Sequence, residues 1–145
     1  MATAPHRIDE TTGRYLPVIY PEERPYWEAL RQRRLVLPRC KSCKQAWFPL
    51  GPACPNCFEI GFDWAPMTGK GVLHNYVVYH KAWAPWLEKR VPYAVVQVEL
   101  DEGPRLTTNL LECAIDQIRI GMRVEAMYED ITDDITLLQF RPAGT

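Results

Sequence analysis

Four cysteines with metal-ligand spacing are the residues of this chain best suited to chemistry. They form two CxxC pairs, Cys40 with Cys43 and Cys54 with Cys57, and ten residues separate the pairs. Each CxxC turn directs two sulfurs at one position, so two facing turns make a tetrahedral thiolate cage. Such a cage suits Zn²⁺ in ligand softness, number and geometry. The short spacer is typical of a zinc ribbon, in which each knuckle is the tip of a hairpin.

Two other uses of the same cysteines stay open. A single iron ion could take the four thiolates in place of zinc. Two disulfides would require an oxidising compartment, but residues 1–9 carry no apolar core of a signal peptide. We therefore expect a cytoplasmic protein with one structural Zn²⁺. Since four cysteines complete its coordination, this zinc would have no open position for water or substrate.

The bulk composition limits the class of protein. A chain of 145 residues suffices for one ordinary domain, or for a small metal-held unit beside one compact core. Seventeen basic and eighteen acidic side chains give a net charge of −1, which lacks the basic excess of most nucleic-acid-binding proteins. No apolar run is long enough to cross a bilayer.

Short elements must position the cysteines. Residues 1–20 are polar and without periodicity, and we expect them to form an extended arm. A helix is predicted over residues 21–33, because acidic residues begin it and basic residues end it. Three short ribbon strands are predicted to flank the knuckles, over residues 34–38, 46–49 and 60–64. The helix and the ribbon would together form one unit over residues 21–67.

A second unit is predicted over residues 68–142, where apolar and polar residues alternate. Its five expected strands lie over residues 72–80, 93–100, 105–111, 122–128 and 135–140. A tight hairpin between the second and third strands, with a longer link to the fourth, favours a five-stranded OB-fold barrel. An SH3-like barrel and a five-stranded meander are the alternatives. The predicted fold class is therefore mainly β: a short helix, a zinc ribbon and a barrel.

The remaining reactive residues do not assemble into an active-site pattern. Alternation places His74 and His80 on one largely apolar face of the first barrel strand, which favours a structural role. His6 lies in the predicted arm, and Cys113 should pack as a small hydrophobe. The acidic residues at 129–134 match no calcium loop and are expected to form a solvated turn. We therefore expect no catalytic residues, and no activity from the chain alone.

The chain resembles the zinc-ribbon and OB-fold proteins known as domain of unknown function thirty-five. The resemblance rests on the segments 26–30, 35–43, 54–57, 69–72, 92–103 and 120–125, which occur in the family's order. It implies a rubredoxin-like ribbon after a short helix, and then an OB barrel. It also implies a small subunit that works beside thiolase-superfamily enzymes and helps to hold or channel a coenzyme A (CoA) thioester. Phe58 replaces a glycine that often follows the fourth cysteine, which leaves the shape of the second knuckle open.

Two groups of residues would then face ligands or partners. Trp83 and Trp86 of the loop before the second barrel strand, with Trp27 of the helix, are predicted partner contacts, since tryptophan is enriched at interfaces. The alternative is that these side chains pack on the barrel end and on the ribbon. A basic group near the helix end and the first knuckle is predicted to bind CoA phosphates, the alternative being a solvated face. Its members are Arg31, Arg34, Arg39 and Lys41, with Arg33 and Lys44 beside them.

The leading interpretation is a non-catalytic small subunit of a thiolase-type or related acyl-CoA enzyme. It would form a hetero-oligomer with the larger subunit and help to enclose the thioester. A single-stranded nucleic-acid-binding protein is the alternative, with barrel aromatics as stacking platforms, although the near-neutral charge argues against it. An independent acyl-CoA enzyme would need a nucleophile and base pair that the sequence lacks.

Overall fold

The computed structural model describes residues 7–144, so His6 lies outside the described residues. Within the predicted arm, Ile8 pairs with Tyr15 in an antiparallel bridge. The Asp9 carboxylate closes the intervening turn by accepting hydrogen bonds from the Thr11 amide at 3.0 Å and the Thr12 hydroxyl at 2.7 Å. The described part of the arm is thus folded back on itself over residues 8–15.

One α-helix, α1 (Arg24–Arg31), follows a 3₁₀ turn at Pro21–Glu23. Pro25 lies in the first turn of α1, where its missing N–H group has no intrahelical partner to lose. The helix ends before Arg33, whose φ of 59° is left-handed, so it is shorter than predicted. Among the described residues, no helix is both long enough and apolar enough to cross a bilayer.

The ribbon is a two-stranded antiparallel sheet. Strand β1 (Leu35–Cys40) pairs with β2 (Phe62–Met67) along its whole length. The predicted strand over residues 46–49 is wrong: this segment contacts β1 through the isolated bridge between Arg39 and Ala46 and one hydrogen bond from the Trp47 amide. Prolines on both sides, Pro38 and Pro49, have no N–H group with which to extend a ladder.

Five further strands close into a barrel. They are β3 (Lys70–Tyr79), β4 (Tyr93–Leu100), β5 (Arg105–Leu110), β6 (Arg123–Asp130) and β7 (Thr136–Pro142). Their order around the barrel is β3-β4-β5-β7-β6, and β6 pairs back with β3. Neighbouring strands are antiparallel except β5 and β7, which are parallel. This topology confirms the predicted OB-fold barrel after a helix and a ribbon.

Strand β3 contains a register shift between Leu73 and Asn75. A bulge of this kind adds one residue and exchanges the inward and outward faces of the strand beyond it. Leu73 is buried before the shift and Tyr76 is half-buried after it. The predicted apolar face shared by His74 and His80 is therefore wrong, and both histidines are exposed.

A single hydrophobic core joins the helix, the ribbon sheet and the barrel. Leu30 of α1 and Leu37 of β1 are fully buried in the same cluster as Val98 and Phe140 of the barrel. The tip of the ribbon has its own small buried cluster, made of Cys40, Trp47 and Cys54. Burial therefore holds the base of the ribbon on the barrel, while the tip contributes few apolar contacts.

At Gly71 the backbone of β4 leaves no room for a side chain on β3. A Cβ atom at this position would overlap the carbonyl oxygen of Glu99, whereas a Cβ at Gly51 would meet no atom within 4 Å. We expect Gly71→Ala to lower the free energy of unfolding by about 1–3 kcal/mol, because the barrel must open to admit the methyl group. Urea unfolding followed by circular dichroism measures this. Gly51→Ala is the control. Equal unfolding midpoints for the two variants would contradict the close contact between Gly71 and Glu99.

Candidate functional site

The four cysteines of the two knuckles converge on one point. Their sulfur atoms all lie within 4.8 Å of one another. The Sγ atoms of Cys40 and Cys57 are 3.5 Å apart, and those of Cys43 and Cys54 are 3.6 Å apart. A tetrahedral centre with metal–sulfur bonds of about 2.3 Å needs sulfurs separated by about 3.8 Å. The four side chains thus form a metal-binding cluster of the expected geometry.

Equivalent backbone turns build the two knuckles. The amide of Lys44 donates to the carbonyl of Cys40 at 3.1 Å, and the amide of Phe58 donates to the carbonyl of Cys54 at 2.9 Å. Lys44 and Phe58 both have left-handed backbone, with φ of 65° and 64°, a region that favours glycine. The second knuckle therefore keeps the shape of the first despite Phe58, whose ring is 78% exposed.

The cluster is covered on one side and open on the other. Cys40 and Cys54 are buried, Cys43 is half-buried and Cys57 is exposed. Backbone amides of Ser42 and Cys43 each donate to the Cys40 sulfur at 3.4 Å. A four-sulfur set of this kind is complete as a structural metal site and leaves no position for a reacting group.

The other reactive side chains lie apart from this cluster. No second group of three or more metal-ligating side chains occurs among residues 7–144. Cys113 follows β5 in the sequence and is half-buried. Burial raises the pKa of its thiol, so the thiol stays protonated at neutral pH. The structure therefore brings together the predicted cysteine ligands, and within the described part of the chain it adds neither Cys113, His74 nor His80 to them.

The predicted phosphate-binding residues do not form one pocket. Arg31 and Arg34 lie at the end of α1, and each donates to a neighbouring oxygen atom. Arg39 is half-buried in β1, and the Lys41 ammonium is 3.8 Å from the Asp63 carboxylate. The six residues of β1 separate Arg34 from Lys41, which places them roughly 20 Å apart. The four cations are thus two separate surface groups.

Arg33, which lies between Arg31 and Arg34 in the sequence, makes a specific ion pair. Its guanidinium donates to both carboxylate oxygens of Asp130, at 2.8 and 2.6 Å. The Thr136 hydroxyl donates to the same carboxylate at 2.6 Å. Arg33 first, and then Thr136, hold the pKa of Asp130 far below its usual range. Asp130 lies in β6 and not in a solvated turn. Its pairing with Arg33 ties the segment between α1 and β1 to the barrel.

Trp86 is held at the barrel end by two arginines. The guanidinium carbons of Arg14 and Arg90 lie 4.7 and 5.7 Å from the centre of its ring. Both arginines also pair with Glu129, at 3.4 and 3.1 Å. Burial opposes ionisation of Glu129, but hydrogen bonds from Gln139 and Arg90 outweigh it and keep the pKa of this carboxyl low. No local sequence pattern predicts this cluster, because Arg14 and Glu129 are 115 residues apart.

Trp83 behaves differently from Trp86. Its side chain is 69% exposed, and the Lys81 ammonium lies 4.3 Å from its ring centre. Val77 and Tyr79 of β3 are also exposed, and Tyr79 stacks on Tyr93 with ring centres 5.3 Å apart. We call Val77, Tyr79, Trp83 and Tyr93 the aromatic patch. Val77, Tyr79 and Trp83 are exposed and Tyr93 is half-buried; these residues lie at the end of β3, in the loop that follows it and at the start of β4.

Trp27 packs on the ribbon rather than standing free. Its ring meets Tyr26 edge-on, with centres 5.2 Å apart, and it lines a cavity of about 60 Å³ with Phe48 and Trp64. The indole N–H groups of Trp27, Trp47 and Trp86 are buried without a hydrogen-bond partner. The contact of Trp27 with another protein stays a prediction.

Comparisons with known proteins agree with this architecture. The family model of the ChsH2 rubredoxin-like zinc ribbon domain matches residues 27–61, and that of the ChsH2 C-terminal OB-fold domain matches residues 64–129. A solved chain titled Ltp2-ChsH2(DUF35) aldolase superposes with a TM-score of 0.79 at 41% identity, covering 89% of this chain and 100% of that chain. The class is therefore that of proteins with a zinc ribbon followed by an OB fold.

Individual relatives define the family. A DUF35 domain-containing scaffold protein of Methanocaldococcus jannaschii is 36% identical over 74% of this chain and 77% of its own length. The chain belongs to the DUF35 family. A probable enoyl-CoA hydratase alpha subunit of Thermomonospora curvata is 42% identical over 88% of this chain, which spans only 39% of that relative. The benzoylsuccinyl-CoA thiolase subunit BbsA of Thauera aromatica is 27% identical over 71% of each chain.

The pairing of Arg33 with Asp130 predicts a pH-dependent contribution to stability. Because the pKa of Asp130 is lower in the folded chain than its ordinary 3.8, the pair stabilises the fold above pH about 4 and loses this effect as the pH falls further. We expect Asp130→Asn to lower the melting temperature at pH 7, and the deficit to shrink below pH 4. Asp133→Asn, three residues away, is the control. A deficit that is the same at both pH values would contradict the pairing.

Proposed function

We propose that this chain is a zinc-holding, non-catalytic small subunit of a thiolase-type or related acyl-CoA enzyme. The observation that carries the proposal is family membership over both the ribbon and the barrel. Relatives in this family bear the names of a CoA hydratase subunit and a CoA thiolase subunit, and the similar solved chain is titled an aldolase with Ltp2. The common element in these names is a subunit of an enzyme complex.

Zn²⁺ is the proposed ion of the cysteine cluster. Four thiolates at near-tetrahedral separations are the donor set of structural zinc sites, and zinc there cross-links the two knuckles without activating a substrate. Such a cross-link is needed because the ribbon tip buries little apolar area of its own, so metal binding would supply much of its folding free energy. Iron bound by the same thiolates is the alternative that metal analysis distinguishes.

The aromatic patch is the proposed contact with the larger subunit. Exposed groups of large apolar side chains mark interaction sites, and Trp83 presents most of its ring to solvent. Trp86 would not contact the partner directly but would hold the loop that carries Trp83 in place, since Arg14 and Arg90 pack on its ring. Trp27 would extend the contact at the edge of the ribbon. In this arrangement the partner supplies the catalytic groups.

The CoA thioester is proposed to lie between the two subunits. Arg39 and Lys41 beside the first knuckle, with Arg31 and Arg34 at the helix end, would offer donors to its phosphates. Because these cations form two separate groups, they would contact the nucleotide at the rim of the complex, and the partner would hold the rest. Enclosure by both subunits would protect the thioester from water.

Metal analysis tests the proposed zinc site. We expect one Zn²⁺ per chain in the purified protein, and loss of the metal in Cys54→Ser. The ribbon tip should then unfold while the barrel strands persist at a lower melting temperature, because only the base of the ribbon shares the barrel core. Cys113→Ser, outside the cluster, should keep the metal. A stoichiometry far below one, or iron in place of zinc, would refute the assignment.

Association with a thiolase-superfamily protein from the same organism tests the proposed partner surface. Trp83→Ala should weaken binding by about 2 kcal/mol, roughly 30-fold, as for an interface anchor. Its melting temperature should stay unchanged because the ring is exposed. Trp86→Ala should instead melt earlier.

Ile120→Ala provides a control for this experiment, since Ile120 is 66% exposed and lies near the opposite half of β3. Unchanged affinity in Trp83→Ala would remove the aromatic patch from the interface. Turnover of an acyl-CoA by the chain alone would overturn the proposed non-catalytic role, and salt-dependent binding of a single-stranded oligonucleotide would favour the other class of OB-fold protein.

A further inference from the structure

A cleft of about 680 Å³ opens at one end of the barrel, between the loop before β4 and the ends of β4 and β5. This volume lies within the range of about 300–1,000 Å³ that is typical of small-molecule sites. Its walls are largely apolar, with Leu87, Pro92, Ala94, Leu110 and Ile115 among the lining residues. The cleft is separate from the cysteine cluster and is built entirely from this chain.

The charged side chains of the cleft lining are two arginines and two glutamates, and they are unevenly placed. Arg14 and Arg90 line it and share the single carboxylate of Glu129. The Arg14 side chain is only 12% exposed, so its charge is poorly solvated and favours a further anion. Glu112, the other acidic residue of the lining, is exposed and pairs with Arg141 at 3.4 Å. An excess of positive charge therefore remains beside Trp86.

We propose that this cleft binds a small amphipathic acid. Its apolar body would lie along the aliphatic wall of Leu87, Leu110 and Ile115, and its carboxylate or phosphate end would meet the guanidinium groups of Arg14 and Arg90. Charge-assisted hydrogen bonds from guanidinium groups to such oxyanions are among the strong ones. The site goes beyond the proposed subunit function and does not depend on it, because the residues named above all belong to this chain.

Cys113 provides a direct reporter of occupancy. It lines the cleft, whereas the other four cysteines of the chain belong to the metal-binding cluster. In the zinc-loaded protein, alkylation should therefore modify Cys113 selectively. A ligand in the cleft should slow this modification in proportion to its occupancy.

The experiment uses the full zinc-loaded chain with decanoate, decanol and butyrate, measured by calorimetry and by the rate of Cys113 alkylation. We expect decanoate to bind saturably and to protect Cys113. Decanol should bind about 10-fold more weakly because it cannot form the charge-assisted contact, and butyrate should bind weakly because it lacks the apolar body. Absence of saturable binding, or equal affinity for decanol and decanoate, would overturn the proposal.

Variants separate the two halves of the site. Arg90→Ala should remove the preference for decanoate over decanol, whereas Lys89→Ala, which loses the same charge one residue away and outside the lining, should keep it. Ala114→Trp, at an exposed lining position, should block binding without lowering the melting temperature. Equal effects of Arg90→Ala and Lys89→Ala would mean that net charge alone attracts the ligand, and would refute the site.

Two further probes identify the source of the anionic end. Protection by decanoate but not by CoA would assign a free carboxylic acid. Tight binding of CoA and decanoyl-CoA, lost in Arg90→Ala, would assign a phosphate of a thioester ligand. If none of the probes binds while Trp83-dependent association with the partner persists, only the cleft proposal fails. If the probes bind and no partner associates, only the proposed subunit function fails.

Discussion

The packing of the ribbon base and α1 against the closed barrel is the interaction on which the rest of the structure depends. Leu30, Leu35 and Leu37 are buried in the same cluster as barrel residues such as Phe140, and each such side chain contributes about 1.5–3 kcal/mol on burial. This common core fixes the direction in which β1 and β2 leave the barrel. The cysteine cluster then has to order only the distal knuckles, which bury little apolar area themselves.

Ion pairs make a second set of connections between segments that are distant in sequence. Arg33 joins the end of the helix to β6 through Asp130, and Arg14 joins the N-terminal turn to β6 through Glu129. Although the net charge of the chain is near neutral, its charged side chains are arranged in specific pairs between distant segments. Arg90 brings a second cation to Glu129, so two guanidinium groups share one carboxylate beside Trp86.

Structural features that local residue spacing alone determines could be predicted from the sequence. The CxxC spacing predicted the cysteine cluster, and uninterrupted alternation predicted β4 with the bounds found in the structure, Tyr93–Leu100. The bulge in β3 exchanged the strand faces, so the predicted position of His74 was wrong. Proline interrupted the ribbon strand expected over residues 46–49. The Arg14–Glu129 pair depends on barrel closure, which no local pattern encodes.

The same bulge explains why one side of the barrel carries an apolar surface. Beyond the register shift, Tyr76 and Val78 point toward the core, so their neighbours Val77 and Tyr79 must face solvent. A one-residue change of register turns every later side chain of a strand to the other face. At this end β3 carries apolar side chains on both faces. Burial in the core explains why the inner side chains are apolar, but it does not explain the outer ones. The outer apolar face is therefore not required by the core of this chain, which is the property expected of the contact surface proposed above.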